Sequence, residues 1–312
     1  MLWKKRGHIF TPDPAGWMHS YAQVPTPLVV PDRLRVFIGC RPKQEEGAMP
    51  VSQIGYVDLD RAAPGRVIGV SEGPVLPLGD LGTFDEFGLH PISVVRRDGE
   101  VWLYYVGWTR MVSVPFNRAI GLAISTDDGQ SFRRYGRGPV VGATINEPYL
   151  QQGPTVKQYG GLWHMWYLSG IDWIDAGDRK ECVYQIMHAT SRDGVAWHRD
   201  GRSCMPCHEP TECHAGQGLV ERDGIYHMWF SYRPALDFRN ADRGYRIGYA
   251  WSDDLETWHR DDSKAGIGVS AEGWDSEMVC YPNILEIDGR ALMFYCGNYF
   301  GRDGFGYAEL GE

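Results

Sequence analysis

The sequence predicts an all-β fold: a five-bladed β-propeller of four-stranded antiparallel blades, its ring closed by the N-terminal strand. Three observations predict it. A polar turn is spelled three times, as "STDDGQSF" from Ser125, "SRDGVAW" from Ser191 and "SDDLETW" from Ser252, with starts 66 and 61 residues apart. Self-similarity at a near-fixed period marks a repeat architecture. Aromatic-rich segments recur at the same period, and so do short strands opened by proline at Pro25, Pro91, Pro154 and Pro282.

Each unit reads in the same order. A proline-opened strand comes first ("VPTPLVV", "HPISVV", "GPTV", "QGLVE", "YPNIL"). An aromatic strand comes second ("LRVFIGCR", "EVWLYYVGW", "LWHMWYLSG", "IYHMWFSYR", "ALMFYCGNY"), then a Gly/Ala-containing strand, the Asp-rich turn and a short outer strand. Four short strands in about 60 residues are what a radial blade requires. Proline at a strand start is tolerated by the ladder, which places the first strand beside the central channel. The fifth unit stops after "FGYAEL" without an outer strand, while "WKKRGHIF" at the N-terminus matches the segments after the other turns. Trp3 therefore stands where Phe132, Trp197 and Trp258 stand, and residues 1–312 form one domain in which the first segment completes the last blade and removes an exposed sheet edge.

Composition narrows the function. The net charge is −9 over 312 residues, and no basic run exceeds three residues, so the footprint of a nucleic-acid binder is missing. No stretch is apolar for the roughly 20 residues of a membrane helix, and the basic N-terminus lacks the apolar run of a signal peptide. Seven scattered cysteines predict free thiols in a reducing cytoplasm. Within "CMPCHEPTECH", Cys204, Cys207 and Cys213 have a spacing compatible with structural zinc, but a second knuckle is missing and unbound thiols are the expectation, with no cofactor.

The turn carboxylates Asp127, Asp193 and Asp254 are read as structural, since Asp and Ser side chains satisfy turn backbone. Chemistry is expected at the opposite face, where residues before each innermost strand meet those after each aromatic strand. Candidate acids and bases are Asp85 and Glu86 of blade two, Glu147 of blade three and Glu277 of blade five. Candidate substrate-binding residues are His19, Arg41, His90, Trp108, Arg110, Gln152, Asp172, Arg233, His214, Tyr281 and Asn298. Carboxylates, amides and indole faces suit sugar hydroxyls and C–H faces. The arginines suit a carboxylate, a phosphate or an activated sugar.

The turns resemble the Asp-box of sialidases and other propeller glycosidases. The whole layout resembles the five-bladed enzymes around glycoside hydrolase families 43, 32 and 130. That resemblance implies a glycosidase-like enzyme acting on a small, acidic or activated sugar. A sugar-binding propeller or a phosphorylase or transferase are the alternatives, and the partner is a small carbohydrate or sugar conjugate. Two positions depart from the family 43 pattern. Val24 stands before Pro25, where an aspartate is usual, and Gln152-Gly153-Pro154 replaces Glu-Gly-Pro, so the usual general acid is an amide.

Overall fold

The computed structural model describes residues 1–45 and 47–311. Strand β1 (Trp3–Phe10) leads into blade one: β2 (Ser20–Val30), β3 (Arg33–Arg41), β4 (Gln53–Asp60) and β5 (Val67–Val70). Blade two comprises β6 (Gly88–Arg97), β7 (Glu100–Arg110), β8 (Phe116–Ser125) and β9 (Arg133–Arg134). Blade three comprises β10 (Gln151–Tyr159), β11 (Leu162–Asp175), β12 (Lys180–Ser191) and β13 (His198–Ser203). Blade four comprises β14 (Cys213–Arg222), β15 (Ile225–Arg233), β16 (Arg246–Ser252) and β17 (His259–Arg260). The last blade holds β18 (Cys280–Ile287), β19 (Arg290–Cys296) and β20 (Phe305–Leu310), with β1 antiparallel on β20 as its fourth strand. The predicted five blades and their closure are what the structure shows.

Packing between blades explains the recurring aromatic residue after each turn. Trp3 meets Trp229 at 5.1 Å between ring centroids, Phe132 meets Phe37 at 5.5 Å, Trp258 meets Trp166 at 6.0 Å and Trp197 meets Tyr104 at 6.1 Å. Each outer-strand ring thus lies edge-on to the aromatic strand of the preceding blade, a favoured arrangement of ring quadrupoles. The turns supply the close approach. In the second, the Ser191 Oγ accepts from the Asp193 and Gly194 amides, and Asp193 Oδ1 accepts from the Val195 and Ala196 amides. Gly194 has φ +73°, and a methyl there would stand 2.8 Å from the Tyr104 hydroxyl. That hydroxyl donates to the Gly194 carbonyl instead.

The innermost strands carry a second repeated device. Register breaks occur between Gln23 and Thr26, Pro91 and Ser93, Gln152 and Thr155, Ala215 and Gln217, and Cys280 and Asn283. A bulge at the same level in every blade re-aims side chains at one end of the channel. Val24 and Tyr281 take φ +53° and +57° there, a conformation that is strained for a β-branched or bulky residue.

Candidate functional site

The bulges open a cavity of about 320 Å³ at the channel mouth, walled by Val24, Ile92, Val106, Leu168 and Trp108. It adjoins a wider outer space of about 810 Å³ bounded by Arg233, Phe238, Tyr299 and Phe300. Arg41, Arg118, Tyr184, Tyr245 and Tyr281 line both. Among the described residues no Asp or Glu lines the inner cavity; Asp178 and Glu181 reach only the outer wall, where Glu181 pairs with Arg239.

The two guanidiniums at the junction are held without a carboxylate. Arg41 lies 4.0 Å over the Tyr21 ring, and its Nε is buried with no partner among the described residues. Arg118 stacks 4.3 Å over Phe116 and donates to the Gln152 side-chain oxygen. Burial pulls both below the usual arginine range, and the Arg118 charge adds to the effect on Arg41. Beside them, burial followed by the charges of Arg118 and Arg41 lowers His90 to about 3, so its imidazole is neutral. His90 Nε2, Trp108 Nε1 and Gln23 Oε1 are buried without hydrogen-bond partners. Native interiors seldom leave such atoms unpaired, and the three residues that carry them all line this cavity. Trp108 is held there because β6 offers glycine opposite it: a methyl on Gly88 would lie 1.1 Å from the indole nitrogen.

Of the residues anticipated from sequence, the structure brings Arg41, His90, Trp108, Gln152 and Tyr281 into the inner cavity and Arg233 into the outer one. Arg233 donates to the Pro234 and Ala235 carbonyls and to the Tyr184 hydroxyl, which in turn lies 2.8 Å from the Tyr245 hydroxyl. The others are placed elsewhere. His19 Nδ1 meets the Pro14 carbonyl, and Arg110 packs on Phe87 and donates to Met49. Asp172 is exposed and accepts from the Trp173 amide. Asn298 caps the Glu277 and Met278 amides. His214 is buried against Glu212.

The four candidate carboxylates also lie outside the cavity lining. Glu86 accepts from the Gly82 amide, and Glu277 is partly buried, its backbone bonded to Asn298 and Arg246. Asp85 and Glu147 belong to a repeated internal device, in which a carboxylate before the inner strand accepts from a tyrosine of the aromatic strand and a cation of the outer strand. The groups are Asp85 with Tyr105 and Arg134, Glu147 with Tyr167 and Arg199, and Asp275 with Tyr295 and Lys5. In blade four Glu212 pairs with Arg260, and His214 replaces the tyrosine.

The zinc spacing resolves differently from a three-thiolate centre. Cys204 Sγ is directed at the Ile186 carbonyl and Cys213 Sγ at the Cys182 carbonyl. Cys207 instead approaches Glu212 and His214, with donor atoms within 4.8 Å of one another. Arg260 already supplies a positive charge to that carboxylate.

Sequence reasoning missed Arg118, Tyr184 and Tyr245. Arg118 and Tyr184 lie in the first half of a third strand and Tyr245 just before one, and the antiparallel hairpin sets Arg118 opposite Trp108 and Tyr184 opposite Gly170. Counting that third position in each blade would have found them.

No protein-family model matches the sequence. Two proteins of Mycobacterium tuberculosis, uncharacterized protein MT1551 of strain CDC 1551 / Oshkosh and uncharacterized protein Rv1502 of strain ATCC 25618 / H37Rv, are each 36% identical over 99% of both chains. This chain belongs to their family. Solved structures extend the likeness of fold beyond it. A BT0996 RGII complex superposes with a TM-score of 0.75 at 18% identity, over 99% of this chain and 92% of that one. A structure from the GH130 family of mannoside phosphorylases, described as containing glycoside hydrolases that target β-1,2-mannosidic linkages in Candida mannan, superposes at 0.70 with 14% identity, over 98% and 93%. The family therefore shares the five-bladed fold of glycoside hydrolases and phosphorylases.

Proposed function

We propose that this protein is a carbohydrate-binding propeller for an acidic or activated sugar, which it holds at the channel mouth through Arg41 and Arg118. The observation that carries the reading is the partly buried guanidinium pair with no carboxylate in the inner lining among the described residues. Two desolvated cations of like sign repel, and an anionic ligand offsets that cost through paired N–H donors. The aromatic and apolar walls suit a sugar ring, and the polar side chains of Gln23, His90 and Gln152 in the lining suit its hydroxyls. Hydrolysis by two carboxylates across the site needs acids roughly 5–10 Å apart on either side of the bond. Asp85 and Glu147 are instead occupied in internal ion pairs, which favours binding over that chemistry. The fold likeness to glycoside hydrolases and phosphorylases supports a carbohydrate ligand, and the seven free thiols support a reducing compartment such as the cytoplasm.

Ligand-observed NMR with glucuronate, glucose 1-phosphate and glucose tests this reading. The anionic sugars should bind in preference to glucose, and Arg118→Gln should abolish the preference while leaving the melting temperature within a few degrees. Equal binding of glucose by both proteins would refute it.

A further inference from the structure

The position of the charged pair within the cavity says more than its presence. Arg41 and Arg118 line both the inner space of about 320 Å³ and the outer space of about 810 Å³, so they stand where the two meet. A ligand anion there has room on either side of it. A carboxylate or phosphate at the end of a small sugar would fill one space and leave the other to solvent.

Resting on the reading above, we propose that the ligand is a glycosyl diphosphate ester: the sugar in the inner space, the diphosphate bridge between Arg41 and Arg118, and the second ester substituent in the outer space. Charge agrees with this assignment. A diphosphate diester carries two negative charges at neutral pH, matching two guanidiniums that have no carboxylate partner among the described residues, and planar N–H forks suit phosphoryl oxygens. Size agrees as well. The inner space sits at the small end of ligand pockets, about 300–1,000 Å³, and is lined by the polar side chains of Gln23, His90 and Gln152 beside the Trp108 ring. The outer space is wider and bordered by the rings of Phe238, Tyr299 and Phe300, able to cover a nucleoside base or the first isoprene units of a lipid carrier.

Isothermal titration calorimetry on the full-length protein decides the matter, using UDP-glucose, UDP-galactose, GDP-mannose and a short-chain prenyl diphosphate glucose, with UDP, glucose 1-phosphate, glucuronate and glucose for comparison. At least one diphosphate ester should bind tenfold or more tightly than glucose 1-phosphate, glucuronate and UDP. Arg41→Gln and Arg118→Gln should each weaken it at least tenfold while the variants melt cooperatively. Preference for a nucleoside or a prenyl ester supports the proposal in either case and identifies the second substituent. If glucuronate or glucose 1-phosphate binds as tightly as every ester, the diphosphate assignment is overturned and the anionic-sugar reading survives. If UDP alone matches the esters, the inner sugar position is overturned. If glucose matches them all and Arg118→Gln changes nothing, both readings fall.

Discussion

The Tyr105 hydroxyl donates a 2.9 Å hydrogen bond to Asp85 Oδ2, the same carboxylate oxygen that Arg134 Nε meets at 2.7 Å. Asp85 is 1% exposed. A buried charge of this kind is tolerable only while its partners remain, and removing one costs more than the bond itself contributes.

Tyr105→Phe should therefore destabilise the protein by about 1–3 kcal/mol, and Arg134→Met by more, with ligand binding little changed. Chemical denaturation reads the first and calorimetric titration the second. Loss of binding with unaltered stability would return Asp85 to the functional site.

Gln152 tunes the site through Arg118, whose guanidinium it meets with a neutral oxygen. Gln152→Glu supplies the missing negative charge. The variant should be at least as stable as the parent and should bind anionic sugars tenfold or more weakly, measurable by thermal melting and titration. Undiminished anion binding in a folded variant would show that Arg118 does not contact the ligand.

Acid should destabilise the protein through two partly buried, desolvated imidazoles. Burial lowers His90 to about 3 and His188 to about 4, against about 6.5 in the unfolded chain. Between those values the unfolded chain binds protons that the folded chain does not, so stability falls as pH drops from about 6.5 towards 4. His188→Gln and His90→Gln should each flatten that slope in urea titrations at stepped pH. Parallel curves for parent and variants would contradict the assignment.

The outer-strand ring of the last blade should behave as a core residue. Trp3 is 4% exposed against Trp229, and Trp3→Ala should cost about 3–5 kcal/mol, as large aromatic truncations do. A melting temperature unchanged from the parent would detach β1 from the last blade.

The fold was legible because its determinants are local and repeated. Counting two residues on from Trp3, Phe132, Trp197 and Trp258 gives Lys5, Arg134, Arg199 and Arg260, the four cations that meet the buried carboxylates of blades five, two, three and four. The terminal segment is thus equivalent to an outer strand residue for residue. The site was only half legible. Asp85 and Glu147 look like rim acids in sequence because their partners Arg134 and Arg199 lie 49 and 52 residues away, and nothing local records which way a carboxylate turns. Arg118 was hidden for the opposite reason: it lies near the start of a strand that reads as core, and only hairpin register sets it opposite Trp108.

Ring closure also sets an order of events on the ribosome. Trp3 pairs with Leu310 and Lys4 with Glu309, so β1 is synthesised ahead of all four complete blades and its partner strand after them. At about 5–20 residues per second, β1 spends roughly a quarter of a minute to a minute of synthesis without its sheet neighbour. During that interval the nascent polypeptide displays an apolar indole and an open strand edge, the kind of surface that chaperones hold. The four complete blades can pair internally as each is made, whereas the last one waits until the whole ring has been synthesised.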